Sequence, residues 1–514
     1  MKSDPTINET GFETSFLAPK KWILWLILAL VFGLGLGIRL YDLFDAPLDF
    51  HPTRQMHSAL IARGMYYQAL EEAPDWQREM ALRQWKTEPH PEPQFLERLV
   101  ALTYQLIGSD KLWVARLYSI LFWMAGAAAL FLLAKEIIGQ DGALVALIYF
   151  LILPYGAIAS RSFQPDPLMV SLLIFTWWAA LRWRQKPTWG RTVLAGVLGG
   201  LAIYIKAVAV FFVAGAWLGL LFSSFSLREI LRSRQVWVIG LLTILPYLAF
   251  YVHGMYLDGY LRSEFGLRFF PQLWKDGVFY LRWNSELSSV VGFEWFLVAA
   301  ACTLLLRRRW GRSMLLGLWA GYFVYGMTLS YHISTHDYYQ LPLIPLVALG
   351  LGAGAQLLFK SLQGNRALRT ALVAGVLLFF IVIKAWDVRV ALKRTNYTNE
   401  IRFWQTFGER LGKEAAVVGL LQDAGARLGY WGWVDADDWM TAADFNLRSL
   451  AGQQIDTPAL FAEAIEGKDY FVVTLLDELN RQPQLTELLS QYAVIEKSSD
   501  AIIYDLRQSA GQSP

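Results

Sequence analysis

Apolar stretches separated by short polar turns run through most of the chain. Those at 22–38, 112–134, 142–158, 167–183, 192–205, 207–224, 236–253, 291–306, 313–331, 339–359 and 369–386 each approach the roughly 20 residues that a helix needs to cross a bilayer. The pattern predicts an α-helical polytopic membrane protein with about eleven transmembrane helices. Two segments of the polar stretch from Tyr41 to Lys111 are helical in pattern but too short and too charged to span: Gln55 to Leu70, and the stretch in which Phe95, Leu96, Leu99, Val100, Leu102, Leu106 and Ile107 recur at helical spacing. These amphipathic first-loop helices either lie along the membrane surface, as a shelf under which a lipid-linked substrate enters, or pack on top of the bundle. From about residue 393 the pattern changes. Ala415 to Leu421, Tyr470 to Leu475, Ala493 to Glu496 and Ala501 to Tyr504 read as strands, and Thr457 to Glu466 and Gln484 to Gln491 as helices, which predicts a small α/β domain. The expected organisation is a tail at 1–21, a membrane domain at 22–392 and an α/β domain at 393–514.

Composition supports this reading. Of the 514 residues, 55% are hydrophobic and 17% charged, and the mean hydropathy of +0.34 exceeds what one soluble core requires. The net charge of +3 comes from scattered Lys and Arg, which argues against a nucleic-acid partner. Cys302 stands alone and permits neither an internal disulfide nor a Cys-based metal site. The first apolar run lacks a small-residue cleavage site and reads as a retained anchor. Arg182, Arg184, Lys186 and Arg191, then Arg228, Arg232 and Arg234, then Arg307, Arg308, Arg309 and Arg312, then Lys360, Arg366 and Arg369 fall in loops on one side. The positive-inside rule makes that side cytoplasmic, together with the N-terminus, and an odd number of spans then puts the C-terminal domain outside. The expected location is the inner membrane of a bacterium. The six histidines, 51, 57, 90, 253, 332 and 336, collect on the outer face.

Four polar motifs on that face carry candidate chemistry. In Leu48-Asp49-Phe50-His51-Pro52-Thr53-Arg54, Asp49 can accept a proton from an attacking hydroxyl or amine, and Arg54 can hold a phosphate. An ordinary helix-capping Asp is the alternative. In Ser160-Arg161-Ser162-Phe163-Gln164-Pro165-Asp166-Pro167, Asp166 is either functional or the start of the next helix. Lys206 interrupts an apolar stretch, either to snorkel or to meet a lipid phosphate. In the turn from His332 to Pro345, His336, Tyr338 and Tyr339 suit hydrogen bonding to a sugar or phosphate better than the His332 and His336 pair suits a metal. Asp435-Ala436-Asp437-Asp438 reads as a solvated acidic loop or, less simply, a cation site. A divalent metal is left open, no residue is assigned to one, and no other cofactor is called for.

These motifs, with Trp113-Val114-Ala115-Arg116-Leu117-Tyr118-Ser119, Gly200-Leu201-Ala202-Ile203-Tyr204 before Lys206, and His336-Asp337-Tyr338-Tyr339-Gln340-Leu341-Pro342, resemble the GT-C superfamily of integral-membrane glycosyltransferases. Within it, the chain resembles the branch similar to bacterial protein O-mannosyltransferase-like and lipid A aminoarabinose transferase-like enzymes, over roughly residues 22 to 390. The resemblance implies transfer of a sugar from a polyprenyl-phosphate donor to a lipid, glycan or protein acceptor on the extracytoplasmic face, among membrane lipids. It implies Asp49 and Asp166 as catalytic residues. Substrate would be bound by His51, Arg54, Glu92, Arg161, Lys206, Arg268, His336, Tyr338 and Tyr339, with Arg54, Arg161, Lys206 and Arg268 cradling the donor phosphate. Where relatives carry a Pro-Pro pair after the first-loop helices, this chain has His90-Pro91-Glu92-Pro93, so acceptor recognition is expected to differ there. A polytopic transporter or lipid-linked sugar flippase is the alternative, weakened by spans nearly free of charge at mid-membrane.

Overall fold

The computed structural model describes residues 15–89, 91–262, 267–361 and 366–510. Each apolar run is met by a helix. Lys21–Leu40, Trp113–Ile137, Arg234–Leu257 and Leu343–Ser361 are long and apolar enough to cross a membrane, and Gly277–Val290 with Phe293–Leu304, bent by 88°, forms a broken fifth candidate. The helices Asp166–Gln185, Trp189–Ile205, Ala209–Ser224, Arg309–Thr328 and Arg366–Lys393 account for the other runs but one. The run at 142–158 is two helices, Gln140–Ile152 and Pro154–Ala159, instead of one span. Leu153 is extended, with ψ 122°, because the ring of Pro154 disfavours helical geometry in the residue before it.

Small residues set the closest packing. A Cβ on Gly317 would lie 2.0 Å from the carbonyl oxygen of Gly215, and one on Gly219 2.1 Å from that of Ser313. The helices Ala209–Ser224 and Arg309–Thr328 therefore touch backbone to backbone, as small residues four apart allow within a bilayer. Large side chains such as Trp22, Trp25, Trp237 and Phe379 are exposed around the bundle, a surface that suits lipid.

The two ends of the bundle differ. At one, Glu136 accepts from Arg182 at 3.2 Å and Arg184 donates to Ser224 at 2.7 Å, so the basic loops gather there. The first loop and the C-terminal sheet occupy the other end. Between Tyr41 and Lys111 stand three helices, Pro52–Gln68, Asp75–Thr87 and Phe95–Ile107. The middle one has a sparse apolar pattern and was not expected. Phe95–Ile107 is amphipathic, burying Leu96, Val100 and Tyr104 while exposing Phe95, Leu102 and Leu106. Pro52–Gln68 is no lipid-facing shelf, since it is buried on nearly every side from Gln55 to Tyr66.

The C-terminal segment forms a five-stranded sheet of β1 (Val417–Leu420), β2 (Ala436–Asp438), β3 (Tyr470–Val473), β4 (Tyr492–Lys497) and β5 (Ile502–Ser509). The strand order is β2-β1-β3-β5-β4. β1 runs parallel to β2 and β3, and β5 antiparallel to β3 and β4. The acidic stretch expected as a loop supplies β2. Two of its charges are paired, Asp435 with Arg83 at 2.7 Å and Asp437 with Lys468.

First loop and sheet share one apolar core, in which Met56, Leu60, Tyr66 and Tyr104 pack with Trp404, Phe407, Trp431 and Val434. Arg63 clamps the two parts together. Its guanidinium, 1% exposed, donates to the carbonyls of Tyr430 at 2.5 Å and Gly429 at 2.8 Å and to Gln84 Oε1 at 2.5 Å, and lies 4.0 Å from the centre of the Trp433 ring. Arg63→Ala strands three buried acceptors, at a cost of about 3 kcal/mol or more. The expected outcome is a lower Tm and protease release of the segment after 393 from membrane-embedded protein, read by gel.

Candidate active site

Two polar networks lie at the end that carries the first loop. The first is organised by Arg116, which sits one turn into a membrane helix and is almost wholly buried. It donates to the carbonyls of Asp42, Leu43 and Ala46 and to Asp49 Oδ1 at 3.1 Å. Arg161 donates to the carbonyls of Tyr41 and Asp42, each at 2.7 Å. Both arginines thus hold the turn that follows the first helix. Arg161 is spent on backbone there and is not brought among the other basic candidates. Asp49 Oδ2 has no hydrogen-bond partner among the described residues.

The second network gathers Arg54, Glu92, Asp166, Lys206, Tyr338 and Tyr339. Lys206 follows the helix Trp189–Ile205 in an extended conformation. Its ammonium meets both oxygens of Asp166, at 2.9 and 2.8 Å, and stands 4.0 Å from Glu92. It is 4% exposed, so it does not snorkel. The rings of Tyr338 and Tyr339 lie beside it, their centres 5.0 and 5.3 Å away, close enough for cation–π attraction. Arg54 donates to Glu92 at 2.9 Å and approaches the same Tyr338 ring. Burial opposes the charge on Glu92, but Arg54 and Lys206 outweigh it, with Arg268 contributing, and hold the carboxyl below its usual range. Three cations thus act on two carboxylates in a recess floored by tyrosines.

His51 edges this network from a strained position. Its φ of 42° is left-handed, rare for a residue with a side chain, and Pro52 then starts the helix. Nε2 lies 2.5 Å from Asp337 Oδ1, the His51 ring packs edge-on against Tyr338, and the neighbouring Phe50 ring packs edge-on against Tyr155. Gln55 secures the strand of chain before it, donating to the carbonyls of Pro47 and Phe50 and accepting from the Phe163 amide. The turn carrying Tyr338 and Tyr339 is fixed from below, where Tyr325 donates to the Tyr339 carbonyl and Tyr322 to Gln340.

His336 packs against Tyr338 and Tyr339 and its ring stacks 5.9 Å from that of His332. No group of three His, Cys, Asp or Glu side chains able to hold a metal occurs among the described residues. Arg268 acts by charge on Glu92, Tyr339 and His332. His90 lies outside the described residues. Sequence reasoning did not single out Asp337, Tyr155 or Arg116 as site residues, although the first and last stand inside motifs it used. It also missed Asp423 of the C-terminal unit, which accepts from Thr53 at 2.8 Å, a pairing 370 residues apart with no local signature.

With this geometry in place, known proteins provide a frame. Residues 92–253 match the family described as dolichyl-phosphate-mannose-protein mannosyltransferase. No curated protein sequence matches the chain. Its structure is similar to that of ArnT from Cupriavidus metallidurans bound to undecaprenyl phosphate, with a TM-score of 0.57 and 16% identity, covering 95% of this chain and 98% of that one. It is also similar to the oligosaccharyltransferase of Archaeoglobus fulgidus tethered to an acceptor peptide (TM-score 0.55, 11% identity, 94% and 74% covered). A third likeness is to the arabinofuranosyltransferase AftD from Mycobacteria (TM-score 0.50, 15% identity, 96% and 40% covered). The chain shares with these structures a GT-C-like fold.

The buried pair is testable by itself. Lys206→Met leaves Asp166 as an uncompensated buried charge, a cost of about 3–5 kcal/mol. Adding Asp166→Asn should restore much of the loss, read as the interaction energy of a double-mutant cycle on Tm.

Burial, helped by the nearby Arg268 for His332 and by His51 for His336, pushes the two histidines down to about 3 and about 4. Both are neutral at neutral pH. Because the native state binds fewer protons than the unfolded one, their contribution to stability is complete above an unfolded value of about 6.5 and is lost as pH falls toward 4. A Tm series from pH 7.5 to 4 should fall less steeply for His332→Gln and His336→Gln than for the parent protein.

Proposed function

We propose that the chain transfers a sugar from a polyprenyl-phosphate donor to an acceptor on the extracytoplasmic face, with the N-terminus in the cytoplasm and the 393–514 domain outside. The observation that carries this reading is the convergence of Arg54 and Lys206 beside Glu92 and over Tyr338. The two cations, with Arg268, suit the phosphate of a lipid-linked sugar at the membrane edge. The matched family is named for a dolichyl-phosphate carrier, the ArnT structure holds undecaprenyl phosphate, and the Archaeoglobus oligosaccharyltransferase is also known in complex with a dolichol-phosphate. The basic loops at the opposite end of the bundle supply the cytoplasmic sign.

In the reaction proposed, the acceptor oxygen or nitrogen attacks the anomeric carbon. The bond from that carbon to the phosphate oxygen breaks, and polyprenyl phosphate leaves with inversion. Charge develops on the departing phosphate, where Arg54 and Lys206 stabilise it. Asp49, fixed by Arg116 through one oxygen, takes the acceptor proton on the other. Asp166 and Glu92 hold the two cations in place before donor arrives, and His51, His336 and Tyr339 line the sugar side. Arg161 supports the turn that carries Asp49.

The reading is tested with purified protein in lipid, a panel of radiolabelled polyprenyl-phosphate sugars and a membrane extract supplying acceptors. Release of free polyprenyl phosphate is expected. Asp49→Asn should lower turnover about 10²–10⁴-fold with unchanged Tm, and Arg54→Ala should lower kcat/KM for donor by about 10²-fold or more. Full activity in Asp49→Asn removes that residue from the role of base. Donor movement across proteoliposomes without any release favours the flippase.

A further inference from the structure

A cavity of about 710 Å³ lies in the C-terminal unit, lined by Asn399, Phe403, Gln422, Thr474, Asp477 and Arg481 among others. Gln422 closely follows β1 and Thr474 directly follows β3, so the cavity opens at the carboxyl ends of two parallel strands. The chain leaves β1 toward β2 on one side, while β3 lies on the other. Crevices at such a switch point are where open α/β sheets bind small molecules. The sequence offered no signal here, because no phosphate-binding glycine motif accompanies it.

The chemistry of the lining narrows the ligand. Glu400, Asp477, Glu478 and Asp500 face a single Arg481, which disfavours phosphate and sulfate. Glu400 is engaged by Arg427 at 3.0 Å, and Glu478 by the Ala442 amide and Gln482. The side chains of Asn399 and Asp477 at the exposed rim, and of the half-buried Gln422, have no protein hydrogen-bond partner among the described residues and are available to a ligand. Two planar amides and a carboxylate offer paired donors and acceptors, while Phe403, held by stacking on Phe407 at 5.4 Å, supplies an apolar face. Vicinal hydroxyls on a ring with one C–H face match that set.

We propose that this cavity is a saccharide-binding cleft, distinct from the membrane-edge site. The two are physically linked. Glu400 on the cavity wall binds Arg427, Arg427 binds Asp423 at 2.5 Å, and Asp423 binds Thr53, the neighbour of Arg54. Asp423 and Ala424 hold left-handed backbone conformations, φ 53° and 54°, that bring this bridge to Thr53. If the transfer reaction proposed above is correct, the cleft holds a glycan portion of the acceptor. Saccharide binding itself does not depend on that reading.

The test uses the full chain in lipid nanodiscs and saturation-transfer NMR with maltose, diacetylchitobiose and mannobiose as probes. Transfer to at least one disaccharide is expected, weakened about tenfold in an Asn399→Ala, Asp477→Ala double variant by loss of two hydrogen bonds and unchanged in Arg54→Ala. Transfer to none of the three overturns the proposal. So does transfer that survives the double variant and vanishes in Arg54→Ala, which would seat the sugar at the membrane edge. Trilysine binding that is lost in the double variant, with no disaccharide bound, overturns it in favour of a cationic ligand. Because binding is read without turnover, a failed transfer assay leaves this result interpretable.

Discussion

A cation withdrawn from water at the edge of a bilayer must be met by oxygen, and most of the outer end of this bundle is arranged around that requirement. Lys206 is too deeply buried to reach solvent, so both oxygens of Asp166 close on it. Asp166 can do so because it opens the helix Asp166–Gln185, directly after the turn that follows Pro154–Ala159. Arg54, a helical turn from the strained His51, is answered by Glu92 from a different part of the first loop. A site built this way is organised before any anion enters, which is the condition for electrostatic stabilisation without reorganisation.

The same requirement explains how the C-terminal unit is attached. Arg63 and Arg116 are as deeply buried as Lys206, but they meet backbone carbonyls in place of, or alongside, carboxylates. Carbonyls are fixed by the chain, so these arginines act as staples. One fastens the sheet domain to the first loop and the other shapes the turn that presents Asp49. The shared core beneath Arg63 makes first loop and sheet a single layer, so the Thr53–Asp423 contact is held in register with the membrane site.

The apolar runs determined the helices, because twenty apolar residues in sequence have few other ways to satisfy their backbone in lipid. Likewise, the β-branched and aromatic alternation after residue 393 marked four of the five strands. Where prediction and structure part, the cause is visible. One proline split the run at 142–158. β2 was hidden because two of its three residues are acidic, and the partners of Asp435 and Asp437, Arg83 and Lys468, stand in other segments of the chain. The helix Pro52–Gln68 carries too little apolar contrast to show that it would be buried on every side.

For the site, local sequence was enough to nominate polar residues stranded among apolar ones, since their isolation is expensive and therefore conspicuous. It named Asp49, Arg54, Asp166, Lys206, Tyr338 and Tyr339 on that ground. It did not determine which of them meet. That Lys206 closes on Asp166, that Arg54 closes on Glu92, and that Arg161 is diverted to the backbone of Tyr41 and Asp42 follow from distances between segments dozens of residues apart. Pairing is a property of the packed bundle, where burial and geometry select one partner among several of the right charge.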